Sequence, residues 1–187
     1  MPEIALKVDR VGIEGVRKRI VTQSPEGKLQ FDTIMNAYVD LPREQRGIHM
    51  SRNVEVFEEA IERAGSERPA SLEEVLSEIC SNLIKKHEYT SRAEVVGKTT
   101  YYLEGDFNSS EVYQAADVTM KIMIERDGND ERRIAVTIPG MSVCPSAQRS
   151  FHEFEETPLN KPPSHTQRAN ITVEARTKES VLGGVHA

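Results

Sequence analysis

The strongest pattern in the chain lies between Ser71 and Glu88. Leu72, Val75, Leu76, Ile79, Cys80, Leu83 and Ile84 recur at three- and four-residue steps, the apolar stripe of an α-helix with one buried face. Ser71 and Glu74 form a capping-box signature at its start, and Lys85, Lys86 and His87 suit the negative end of the helix dipole. A second stripe, Val54, Phe57, Ala60, Ile61 and Ala64, predicts a helix from Asn53 to Ala64, with Gly65 as its stop.

Elsewhere the period is two. Leu29–Leu41 reads as a strand with Phe31, Ile34, Ala37 and Val39 available for burial. "TSRAEVVGKTTYYLEG" is a further strand candidate. Val118, Met120, Ile122 and Ile124 alternate with Thr119, Lys121 and Met123. "DGND" then supplies a turn, and Ile134, Val136 and Ile138 alternate on the return, which reads as a hairpin. Ala169, Ile171, Val173 and Ala175 mark one face of a last strand. "PSAQRSFHEFEE" reads as a short helix and "TPLNKPPS" as a Pro-rich loop. The N-terminal "IALKVDRVGIEGVRKRIV" keeps no clean period and reads as irregular or partly extended. A strand region, two helices and then several antiparallel strands make an α+β pattern, a sheet with two helices packed on one face.

Composition narrows the function classes. The chain has 187 residues, 29% charged and 37% hydrophobic, with no Trp. That suits a globular domain with an aliphatic core. No apolar run is long enough to span a membrane and no secretory signal opens the chain, so a cytoplasmic location is expected. A net charge of −6 argues against nucleic acid as a partner. A few local arginines still suffice for a small anion. The two cysteines, Cys80 and Cys144, are expected to be free thiols.

Three stretches concentrate reactive groups: "QRGIHMSR" with His49, "GMSVCPSAQ" with Cys144, and "SHTQRAN" with His165. Cys80 lies on the helix stripe and reads as a small core residue. Cys144 stands where a strand breaks at Pro145, so both a packing role and a cleft-facing role stay open. His165 reads equally as an exposed loop residue. Thiolate and imidazole together suit Zn or Fe(II), and the same pair suits a Cys nucleophile with a His base.

Taken in order, "VDLPREQRGIHMSR", "KHEYTSRAEV", "GMSVCPSAQ" and "HTQR" resemble the archaeal-type GTP cyclohydrolases, which are similar to the bacterial type IB enzymes. The resemblance runs from about Ile4 to Ala175. It implies a tunnelling fold whose modules assemble into a barrel, hence a homo-oligomer, dimer or tetramer. It implies a hydrolase that acts on GTP at purine C8, uses Fe(II) with Zn or Mn as alternatives, and yields a dihydroneopterin cyclic phosphate for methanopterin- or folate-type pterins. Carried over by motif, Cys144 and His165 match the metal ligands, and His49 the active-site histidine of "HMSR". Gln167 and Arg168 match the "QR" that follows the second ligand. Arg46 and Arg52 are candidates for the triphosphate, through forked charge-assisted bonds. The family's second cysteine is Ser146 here. The family pattern is bimodular, and residues 1–187 correspond to one module, its N-terminal half. Two other readings are a catalytically incomplete purine- or pterin-binding or assembly module, and a Cys-nucleophile enzyme similar to the nitrile reductases of the same fold.

Overall fold

Six strands and three helices follow one another as β1 (Val8–Ser24), β2 (Gly27–Leu41), α1 (Met50–Ser66), α2 (Leu72–Lys86), β3 (Arg92–Phe107), β4 (Ser110–Glu125), β5 (Glu131–Val143), α3 (Pro145–Glu155) and β6 (Thr166–Thr177). This is a computed structural model, and it describes residues 6–24, 27–66, 71–107, 110–156 and 164–178. The strands form one antiparallel sheet in chain order, so every connection joins neighbours. The expected α+β class is therefore the observed one.

The expectation for the N-terminal segment needs correction. It is a strand of 17 residues, paired antiparallel with β2. Its period is hidden because the register shifts twice, between Val8 and Val11 and between Ile13 and Val16. Each bulge changes which parity faces inward. Val11 and Ile13 pack on the core before the second shift, and Val16 and Ile20 after it. Gly15 carries the second bulge at φ +70, a backbone that a side chain would strain.

Two compact units divide the chain. The first comprises Met1–Tyr101, Asp117–Val136 and Glu174–Ala187 and holds the core. Met35, Ala37 and Val39 of β2, Ala93 and Val95 of β3, and Met120 and Ile122 of β4 meet α1 and α2 on one face. The α2 stripe is buried throughout, as its period requires, and the Ser71–Glu74 capping box is formed. α1 departs from its expected face. Val54 is 50% exposed, whereas Asn53 and Val56 are wholly buried with Phe57 and Ala60. The Ala64 side chain lies outside the described residues. The polar Asn53 takes the inward place because a histidine meets it there, as described below.

On the opposite face of this unit, alternation puts Tyr38 and Glu94 in register. Arg10 lies over the Tyr38 ring at 4.0 Å and donates to Glu94 at 2.8 Å, and Lys121 pairs with the same carboxylate at 2.7 Å. That face is charged rather than apolar.

The second unit comprises Tyr102–Ala116 and Thr137–Val173 and contains α3. The helix lies where a short one was expected, but none of its residues is buried. The expected apolar face of β6 is also uncovered, with Ile171 51% and Val173 67% exposed. The Pro-rich loop falls largely on residues 157–163, outside the described residues.

Candidate functional site

In the first unit, the dense connection between β2 and α1 is held at both ends by one corner of the fold. Its exposed positions are Arg43 through Gly47 and His49, while Ile48 packs against the core. A single turn, Gln45 N–H to Pro42 O at 3.1 Å, shapes it internally. Just upstream, the Asp40 carboxylate accepts the amides of Ser91 and Arg92, both at 2.8 Å, and the Ser91 hydroxyl at 2.5 Å. Burial pushes the Asp40 pKa up, but the Ser91 hydroxyl and the two amides outweigh it and hold the carboxyl below its usual range.

Just downstream, Arg52 Nη1 donates to the Lys86 carbonyl at 2.8 Å, and the Asn53 amide oxygen meets His87 Nε2 at 2.7 Å. Because Asn53 Oδ1 only accepts, His87 carries its proton on Nε2. Its Nδ1 then accepts the Tyr89 hydroxyl at 3.0 Å. His87 is wholly buried. Burial lowers its pKa, and the neighbouring charges of Arg52 and His49 lower it further, so the ring is held neutral. Arg126 completes the corner by donating to the carbonyls of Thr90, Ile84 and His87.

The second unit carries the thiol and the other histidine. β5 ends at Val143, and Cys144 occupies the N-cap position of α3, with Pro145 in the first turn and no side-chain capping bond. The thiol is thus not consumed by the helix. The Ser164 hydroxyl accepts from the Cys144 amide at 3.0 Å and stands 3.2 Å from the Cys144 carbonyl and 3.0 Å from the His165 carbonyl. One hydroxyl therefore gathers the backbones of Cys144 and His165 into one corner, although they are distant in sequence. Cys144 is half-buried, and His165, Gln167 and Arg168 are exposed. By contrast Cys80 is buried with its pKa pushed up to about 12 by desolvation, and its Sγ donates to the Ala93 carbonyl at 3.3 Å. It is a core residue, as its place on the stripe indicates.

A catalytic metal site ordinarily takes three protein ligands. Among the described residues no three His, Cys, Asp or Glu side chains group together. The thiol and imidazole fit a borderline metal in chemistry, but two donors are fewer than such a site ordinarily takes.

By sequence His87 reads only as a charge suited to the end of the α2 dipole, whereas the ring is buried with its pKa lowered; Asn53, Asp40, Arg126 and Ser164 are not singled out by sequence. One signal was available: Asn53, Phe57 and Ala60 share helical spacing, so a polar residue stood on an apolar stripe.

The family described as type I GTP cyclohydrolase folE2 matches residues 1–183. The chain is 37% identical to GTP cyclohydrolase MptA of Aeropyrum pernix over 89% of its own length and 58% of that protein. It is 35% identical to the MptA of Methanothermobacter thermautotrophicus over 85% of its length and 52% of that protein. The chain thus spans about half the length of the curated relatives it matches. In structure it is similar to uricase from Arthrobacter globiformis, with a TM-score of 0.63 at 12% identity, over 95% of this chain and 65% of that one. That likeness shows the tunnelling fold.

Proposed function

The chain belongs to the type I GTP cyclohydrolase family, and from that premise we propose that it carries the substrate- and metal-binding residues for hydrolysis of GTP at purine C8. The observation that carries this reading is the family match across residues 1–183. The corner that joins Cys144 and His165 supports it. In this reaction water adds at C8 and the imidazole ring opens, and a second water releases C8 as formate. The ribose carbons rearrange and close onto the freed amine with loss of water to give a dihydroneopterin triphosphate. The cyclic phosphate of the methanopterin-type route forms as a ribose-derived hydroxyl displaces diphosphate.

Cys144 and His165 would hold Fe(II), or Zn or Mn, with further ligands from outside the described residues of this chain. A divalent ion held there would supply hydroxide near neutral pH by lowering the pKa of bound water. The protein side of the chemistry falls to the exposed groups. His49, at the entry to α1, moves a proton as the ring opens. Arg46 and Arg168 meet phosphate oxygens, and Gln167 offers an amide to the purine. Arg52 has one N–H committed to Lys86 and offers the rest of its fork. We further propose a homo-oligomer, dimer or tetramer, because β6 lies at the sheet edge with Ile171 and Val173 uncovered.

A second reading has its own support. The described residues group no three ligands. A binding or assembly module that lacks complete chemistry fits that fact. Metal content decides between them. Protein purified without oxygen and reconstituted with Fe(II) should retain about one ion per chain after desalting, and Cys144→Ala and His165→Ala should each lose it. Wild-type protein that retains none supports the incomplete module.

A further inference from the structure

The two ends of the His49-bearing connection are tied to the same short corner, residues 86–92, by two independent sets of bonds. Asp40 holds the upstream end through Ser91 and Arg92, and Arg52 and Asn53 hold the downstream end through Lys86 and His87. The Asn53–His87 bond is the unusual member. It puts an amide and an imidazole, both wholly buried, beside a core that is otherwise largely apolar. Asn53 Nδ2 has no hydrogen-bond partner among the described residues. A buried donor left unmade is costly, and a pair of apolar side chains of similar shape would cost the fold nothing comparable. Asn53 stands four residues from the exposed His49, so the bond ties the first turn of α1 to the corner.

We propose that His87 is a positioning residue: through Asn53 it fixes the first turn of α1 and so sets where His49 stands. This rests on the role given to His49 above, and it extends to a residue that touches neither substrate nor metal. His87 is suited to the task. The Asn53 oxygen can only accept, so His87 carries its proton on Nε2 with that one donor aimed at Asn53, and Tyr89 meets the remaining Nδ1.

The test compares the full chain with the double variant Asn53→Leu/His87→Leu, with Asn53→Ser, which is too short to reach the ring, and with Asn53→Asp, which still accepts from Nε2–H. Amide exchange over residues 49–54 should be about tenfold faster in the double variant and in Asn53→Ser, the scale of one buried hydrogen bond. It should remain at the wild-type rate in Asn53→Asp. With Fe(II) and GTP, kcat should fall by about tenfold or more in the same two variants with KM and metal content unchanged, the signature of a misplaced group. Wild-type exchange in both bond-breaking variants overturns the proposal, as does unchanged kcat. Wild-type protein that binds Fe(II) and yet leaves GTP untouched counts against the catalytic reading of His49, and the exchange rates then decide the anchor alone. If the double variant does not fold, Asn53→Ser against Asn53→Asp gives the same decision.

Discussion

At the scale of single residues the two cysteines separate cleanly. Cys80 is sealed in the core with a pKa near 12, while Cys144 is half-buried at a helix entrance. Thiolate, not thiol, reacts. Metal-free native protein at pH 8 should therefore release one equivalent from a disulfide reagent, two after denaturation, and none when native Cys144→Ala is treated. Two fast equivalents in the native protein would mean that Cys80 is accessible. His49 carries a different expectation. It is exposed, so His49→Asn should shift stability by less than about 0.5 kcal/mol. Its turnover of GTP should nonetheless fall by about 10²–10⁴-fold, the range for loss of a general acid–base group, with metal content unchanged. A variant that loses metal instead would make His49 a ligand.

At the scale of elements, what the sequence revealed depended on periodicity. The apolar stripe and N-cap of α2 could be read, because the stripe is unbroken and the cap is a local signal, but the burial of His87 at its C-cap could not. β1 could not, because two bulges shift parity and an alternation test assumes none. The face of α1 was misplaced because its polarity is set by a partner far along the chain: Asn53 is inward only because His87 receives it. The candidate site divides in the same way. Cys144, His165 and His49 stand out by type and motif. Asp40, Arg126 and Ser164 hold them through backbone groups, which no pattern of side-chain types discloses.

The corner also predicts a response to acid. His87, packed by Tyr89 and Asn53 and near Arg52, Arg126 and His49, has a folded pKa below its ordinary 6.5. The unfolded chain therefore binds its proton first. The stability it contributes is present above pH 6.5 and is lost as pH falls through the folded value. Asp40, also depressed, contributes above its ordinary 3.8 and loses that contribution further into acid. Urea midpoints measured between pH 7.5 and 5 should fall for the wild type and fall less for Asn53→Leu/His87→Leu. Parallel curves would show that His87 is not held neutral by the fold.

At the scale of the molecule, the outer strand β6 keeps Ile171 and Val173 exposed, and Met141 and Val143 near the end of β5 are exposed as well. Apolar groups on a sheet edge favour association. Light scattering at micromolar concentration should report a dimer or larger, and Ile171→Lys with Val173→Lys should shift it toward monomer. A monodisperse wild-type monomer would contradict this.

The central claim is that this chain takes part in opening the purine ring of GTP, and carbon 8 reports it directly. Oxygen-free protein reconstituted with Fe(II) should be given GTP labelled at C8, and the label in formate counted. The account predicts labelled formate that depends on Fe(II) and disappears in Cys144→Ala. Metal-loaded, folded protein that binds GTP and releases no labelled formate would contradict it.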